Sequence, residues 1–231
     1  MLKLENISAG YRFKPCIRNI NAEFVPGRHT AVLGGICSGK TTFLKTAAGL
    51  HMTISGQVFY DNLPITEYSR KELLRGVTYV PQDHFAVDVA VSDFLLICRT
   101  PSARRNASAS DMDAVSFALS SLDLSSSSLV SLKLLSPALL TRVYLAAALV
   151  QNSRFILIDE PSAFLSKGEK QDILHAISTL KALGKTIILA ESDPGFAEQC
   201  CEDFFVLADG MLTCQTLTKR ITLEPSQQLY M

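Results

Sequence analysis

The stretch Ala31–Thr42 reads AVLGGICSGKTT, and it constrains the chain more than any other. It opens on the apolar run Thr30–Leu33, of the kind that forms a buried strand, and continues through Gly34, four intervening residues, Gly39, Lys40 and Thr41. This is the G-x-x-x-x-G-K-S/T spacing, placed after a predicted strand and before a predicted helix. Glycines let the backbone curl so that successive N–H groups turn inward on phosphate oxygens. The helix beginning near Gly39 adds its unpaired N–H groups and the positive end of its dipole. Lys40 can reach the β- and γ-phosphates, and the Thr41 hydroxyl can ligate Mg²⁺. Gly34, Gly35, Ile36, Cys37, Ser38, Gly39, Lys40, Thr41 and Thr42 are therefore the candidate nucleotide-phosphate residues.

Composition narrows the class. At 231 residues the chain suits one domain with room for an inserted lobe, and 48% hydrophobic residues can fill a large core. Lys+Arg and Asp+Glu balance at 22 each, which gives no basic footprint for a nucleic-acid partner. The six cysteines form no C-x-x-C pair and no His cluster accompanies them, so reduced thiols are expected, not a disulfide frame or a zinc site. Met1–Ser8 carries Lys3 and Glu5 in a strand-like pattern, and no signal peptide is expected there. No uncharged apolar run reaches the ~20 residues that span a bilayer. The longest apolar helix candidate, Val143–Asn152, stops at Arg154.

Taken in order, Leu2–Ile7 and Arg18–Phe24 alternate as strands, the second ended by Pro26-Gly27. His29–Leu33 leads into the loop, Thr41–Ala48 is a helix, and Gly49 sits where a left-handed cap would be. Gln57–Tyr60 with Asp61-Asn62 suggests a hairpin, Glu67–Leu74 a short helix, and Val77–Val80 a strand leading to Pro81-Gln82. From Asp83 strand signals vanish. Asp93–Cys98 and Met112–Leu122 read as helices, with Met112, Val115, Leu119 and Leu122 on one face of the second. Arg99–Ser110 is polar and loop-like, Ser125–Ser128 a flexible turn, and Pro137 fits the first turn of a helix running to about Gln151. Asp83–Val150 thus predicts an all-α insertion, with residues 1–82 and 151–231 forming the α/β core. Phe155–Ile158 and Thr186–Ala190 are continuous apolar runs, as in parallel strands buried on both faces. Lys170–Leu183 is an amphipathic helix, and Phe204–Leu207, Asp209-Gly210 and Met211–Leu217 a closing hairpin. The whole predicts an α/β fold with a mainly parallel sheet, an N-terminal antiparallel β portion and right-handed crossovers.

Asp159 and Glu160 follow Phe155–Ile158 and so stand at the C-terminal end of a buried strand, where ligands bind in open α/β sheets. Asp159 can hold Mg²⁺ through water, and Glu160 can polarise a water for attack on a γ-phosphate.

With these residues the chain resembles, from end to end, the ATP-binding subunits of ABC transporters. The resemblance is carried by GGICSGKTT at Gly34–Thr42, VPQ at Val80–Gln82, the LS…R…LAAAL register at Leu135–Leu149, FILIDEP at Phe155–Pro161 and LADG at Leu207–Gly210. It implies a P-loop NTPase core with a helical subdomain, and ATP and Mg²⁺ as cofactors. It also implies a head-to-tail dimer with a second such subunit around two ATPs, and integral-membrane permease subunits on the cytoplasmic face of the membrane. Gln82 matches the loop glutamine that senses Mg²⁺ and contacts the membrane partner. Tyr11 matches the aromatic that stacks on adenine, with an ordinary loop tyrosine as the equal alternative. LLICRTP at Leu95–Pro101 is similar to importer ATPases for iron-siderophore, haem and vitamin B12.

The chain departs from the family pattern in one direction. The signature LSGGQ here reads Leu135-Ser136-Pro137-Ala138-Leu139, with Arg142 beyond. Ser136 survives, but Pro137 removes an N–H, and Ala138 and Leu139 add side chains where backbone must approach phosphate. The aspartate of the usual SALD stretch is Ser166, and the switch histidine aligns with Ser192, beside Glu191. Glu191 would add negative charge near phosphate unless it points away. Cys37 replaces a glycine, read as a tolerated substitution with an oxidation-sensitive thiol as the alternative. Groups that bind MgATP within one subunit are kept, while those that reach the partner's ATP, and the switch histidine, are lost. The expectation is an importer subunit whose ATP hydrolysis is reduced or partner-dependent. The rivals are a regulatory nucleotide-binding half of a heterodimer and a non-transport ABC protein, which usually carries two cassettes in one chain.

Overall fold

The computed structural model describes residues 1–12, 14–100 and 107–215. Its N-terminal sheet shows how local backbone sets which side chains are buried. Strand β1, Leu2–Tyr11, buries Leu2 and Leu4 and then Ile7 and Ala9, a change of parity within one strand. The cause is Asn6, held at φ 52, where the pairing with β2 (Lys14–Phe24) shifts register. A bulge residue of this kind re-aims every side chain after it. Gly56 of β4, Thr53–Tyr60, sits opposite, at φ 81, and a Cβ there would lie 2.3 Å from the Glu5 carbonyl. Asp61 and Asn62, at φ 45 and 69, turn the chain into the two-residue β5, Leu63–Pro64. Asn and Asp tolerate that left-handed backbone, which a tight hairpin needs. The order is β2-β1-β4-β5, all antiparallel.

The second sheet runs β10-β9-β3-β8-β7-β6. Strands β3 (Thr30–Leu33), β6 (Val77–Val80), β7 (Phe155–Asp159), β8 (Thr186–Glu191) and β9 (Asp203–Ala208) are parallel, and β10 (Met211–Gln215) pairs antiparallel with β9. The continuous apolar runs follow from burial on both faces. Phe155 and Leu157 join one core with Phe24, Phe43, Leu44 and the first sheet, and Ile156 and Ile158 point the other way into a core built with helices.

Helix α1, Lys40–Ala47, lies between the two sheets and is closed by Gly49 at φ 70, the left-handed cap expected of it. Helix α2, Arg70–Gly76, starts later than Glu67 because Ser69 and Glu72 form a capping box, and Ile65–Glu67 makes a separate 3₁₀ turn. Between β6 and β7 come α3 (Val91–Arg99), α4 (Ala109–Ser121) and α5 (Pro137–Val150), packed with the sheet's second face. Met112 is exposed and not part of the buried face of α4, which is made by Val115, Ala118 and Leu119. Helix α6, Lys167–Ala182, precedes β8, and α7, Pro194–Cys200, precedes β9. The α7 segment was not anticipated from sequence: it has seven residues, too few for a period, and its opening proline reads as a turn. Pro101 and the polar segment after it through residue 106, and Leu217, lie outside the described residues. Among those described, no helix is long and apolar enough to cross a membrane.

Candidate functional site

Strands β3, β7 and β8 deliver their C-terminal ends to one place, and the site is built there. The loop after β3 needs residues that can be crowded. A Cβ on Gly34 would lie 2.5 Å from the Leu207 carbonyl and 2.6 Å from Ser38 Oγ. Gly39 caps α1 at φ 103. Cys37 adopts φ 62, a left-handed conformation that costs an L-residue roughly 1–2 kcal/mol. Its thiol is exposed.

Lys40, the first residue of α1, is only 6% exposed. Its Nζ donates to the carbonyls of Gly34 (2.5 Å) and Gly35 (2.8 Å) and pairs with Glu160 Oε1 at 3.0 Å. Glu160 follows β7 at φ 45 and is fixed further by Ser192, whose Oγ donates to Oε1 (2.6 Å) and whose N–H donates to Oε2 (3.1 Å). Ser192 Oγ also lies 3.3 Å from the Gly34 carbonyl. Lysine, base candidate and switch position thus form one hydrogen-bonded knot on the loop.

Asp159 is buried at the end of β7. Its Oδ2 accepts from Tyr79 Oη at 2.9 Å, and its Oδ1 is buried with no partner. Burial pushes its carboxyl up, while the nearby Thr41 and Tyr79 hydroxyls pull it back. An unpartnered buried carboxylate oxygen beside the Thr41 hydroxyl is a fit for a hard cation with oxygen ligands such as Mg²⁺. Ser38 Oγ is likewise buried without a partner inside the loop.

A cavity of about 860 Å³ opens over these groups, large enough for a nucleotide. The residues from Gly35 to Thr42 line it, with Gln82, Glu160 and Ser192. Gly34 and Asp159 sit behind that wall, in contact with Lys40 and Tyr79. Two residues named from sequence stand elsewhere in the single chain. Tyr11 is half-exposed, with its ring 4.8 Å from that of His51 and outside the cavity lining. Ser136 is exposed at the N-cap of α5 and does not line the cavity. Its Oγ accepts from Leu139 N–H at 3.3 Å. Since Pro137 has no N–H, the first three positions of α5 retain only that of Ala138 for an external anion.

Three groups at the site were missed or misjudged in the sequence. Tyr79, the holder of Asp159, reads there as one more strand residue. Phe164 stands at φ 61 and 98% exposed at the cavity rim, and nothing in its neighbours signals this. Glu191, weighed as a negative charge near phosphate unless it points away, is 1% exposed and faces the cavity, where burial and the neighbouring Glu160 push its carboxyl up.

Comparison with known proteins accords with this geometry. A family model described as "ABC transporter" matches residues 17–163. An ABC transporter ATP-binding protein of Haemophilus influenzae is 28% identical over 100% of this chain and 89% of its own length. The ferric enterobactin transport ATP-binding protein FepC of Escherichia coli is 26% identical over 99% of this chain and 86% of its own. The solved structure of CbiO1 from Clostridium perfringens, part of the ABC transporter complex CbiONQ, superposes with a TM-score of 0.79 at 26% identity, covering 92% of this chain and 86% of that one.

Proposed function

The chain belongs to the ABC transporter family, and from that premise we propose that it is the ATP-binding subunit of an importer whose hydrolysis is weak or partner-dependent. MgATP would be held by the loop backbone, Lys40, Thr41 and Asp159, with Gln82 at the metal side and Glu160 as base for the attacking water. Lys40, Asp159 and Glu160, gathered under one cavity, are the observation that carries this reading. The partners would be a second cassette and integral-membrane permease subunits, with the chain on the cytoplasmic face of the membrane. CbiO1, described as part of a transporter complex, supports the assembly. The lean toward an iron-siderophore, haem or cobalamin cargo rests on LLICRTP at Leu95–Pro101, and FepC is of that type, while manganese and ribose import ATP-binding proteins match at similar identity. The domain plan on which this rests is an α/β core of residues 1–82 and 151–231 around a helical subdomain of 83–150.

A second reading, a regulatory nucleotide-binding half of a heterodimer, is favoured by the α5 N-terminus, which keeps a single free N–H where a partner's phosphate would be met. Steady-state ATPase of the purified chain, alone and with its membrane partner, separates the two. A rate that rises on assembly supports the enzyme. ATP binding with no turnover in either state supports the regulator. Unchanged MgATP affinity in Lys40→Ala refutes both, because that substitution removes the mobile charge on the phosphates.

A further inference from the structure

The end of β8 carries a group for which the function above has no use. Glu191 turns inward, 1% exposed, and forms part of the cavity wall. Its Oε1 accepts from the N–H groups of Ser192 (2.8 Å) and Asp193 (3.1 Å). The same Ser192 N–H lies 3.1 Å from Glu160 Oε2, so two carboxyl groups from neighbouring strands converge on one donor. The remaining oxygen of Glu191, Oε2, is buried without any hydrogen-bond partner.

Charge settles which form this group takes. Two carboxylates sharing one site cannot both ionise, and a bare buried oxygen is tolerable when it bears a proton and not a charge. Among the described residues, none offers Glu191 a cation of its own. From β7 and the turn after it come Glu160 and Ser162. Lys40 of α1 is committed to Glu160 and the loop carbonyls. Asp193, just beyond β8, is paired with Lys170 of α6 at 2.8 Å. Cys200 of α7 is a buried thiol pushed up to about 12. In agreement with this geometry, the Glu191 carboxyl rises to about 8, first through burial and next through Glu160.

We infer that Glu191 is a proton-holding residue of the nucleotide site: neutral beside Glu160, it lets the two carboxyls carry one negative charge instead of two, so that a polyphosphate can enter. The inference rests on the MgATP reading and concerns a positioning residue, which acts through Glu160 and the charge of the cavity. With a midpoint of about 8, roughly nine-tenths of Glu191 is charged at pH 9 and one-tenth at pH 7, and binding that needs the neutral form weakens about tenfold between them.

The test compares the chain with Glu191→Gln. Glutamine keeps an acceptor for the Ser192 and Asp193 N–H groups and cannot titrate. MgATP affinity is measured from pH 7 to 9, and stability without nucleotide from pH 5 to 8. Because the folded value lies above the unfolded one, neutral Glu191 contributes stability in full below pH 4.5 that is lost as pH rises through about 8. The expected results are a tenfold fall in affinity for the parent against less than twofold for Glu191→Gln, and a parent whose stability declines relative to the variant as pH rises. Equal pH ratios of affinity, or parallel stability curves, overturn the inference. If neither protein binds MgATP at any pH while the stability curves diverge, the proton is on Glu191 but the nucleotide reading, and with it the proton's role in binding, is overturned.

Discussion

Lys40 and Glu160 are bonded to each other before any phosphate arrives, and this coupling is measurable in the nucleotide-free protein. The side chains are 6% and 13% exposed and 3.0 Å apart. At an effective dielectric of about 20 their attraction is about 5 kcal/mol, from which the cost of desolvating both must be subtracted. Removing one member leaves the other buried and unpaired, which in comparable pairs costs roughly 3–5 kcal/mol. Lys40→Met also strips the Gly34 and Gly35 carbonyls of their donor. Because the site opens on a cavity that water can enter, the lower end is expected, about 3 kcal/mol. For a chain of this size that lowers Tm by roughly 6–12 °C. Glu160→Gln leaves Lys40 its two carbonyls and should cost about 1 kcal/mol. In the double variant no charge is left unpaired, so part of the loss is recovered, with a coupling energy of about 1.5–3 kcal/mol. Urea unfolding of the four proteins gives this number directly. A coupling below about 0.5 kcal/mol refutes the picture of a pre-formed knot that ATP must open.

Glu160→Gln should also retain MgATP while turnover falls about 10²–10⁴-fold, the usual contribution of a general base, as read by phosphate release from the assembled protein. Equal turnover would remove Glu160 from the role. Ser166→Ala should cost about 1 kcal/mol by removing the N-cap of α6, whereas Ser166→Asp should be neutral within a few tenths, since Asp caps equally well; equal losses for the two would show that the cap is not what Ser166 supplies. Burial lowers His84 to about 4, so its neutral form stabilises the fold above the unfolded value of 6.5 and that stability is lost as pH falls toward 4. His84→Phe should flatten the acid limb of a stability–pH curve between those values, and an unchanged limb would assign it elsewhere.

The loop and the acid pair that the structure gathers at one cavity were legible in residues 34–42 and 159–160 because their signals are local: a fixed spacing forms a loop, and a strand end forms an acid pair. The sheet was legible because TAVL, FILID and TIILAE are buried on both faces and so apolar throughout. What was not legible depends on long-range geometry. The parity change at Asn6 needs its bulged register with β2, Tyr79 needs β6 beside β7, and the convergence of Glu191 and Glu160 on one Ser192 N–H needs β7 beside β8. No window of sequence contains both partners of any of these.

Three serines stand at positions of family function, one retained (Ser136) and two departures (Ser166 and Ser192), and all three are engaged in the same way. Ser136 caps α5 and occupies the Leu139 N–H, Ser166 caps α6 through its box with Glu169, and Ser192 holds both oxygens of Glu160. Each hydroxyl is already engaged within its own chain, Ser136 and Ser166 at helix N-termini and Ser192 on the Glu160 carboxylate. A homodimer should then hydrolyse ATP slowly, since losing one preorganised donor at developing charge costs about 10²–10³ in rate and each site lacks more than one. Restoring Pro137→Gly, Ala138→Gly, Leu139→Gln and Ser192→His together should raise hydrolysis by about 10² or more. Stability should fall by about 1 kcal/mol, because glycine replaces a buried alanine in the first turn of α5. Ser192→His must also break the bond to Glu160, and the knot on Lys40 loosens with it. Wild-type turnover at an ordinary transporter rate, or restored variants no faster than the parent, would mean that these substitutions do not limit the reaction and that the chain needs no better-preserved partner.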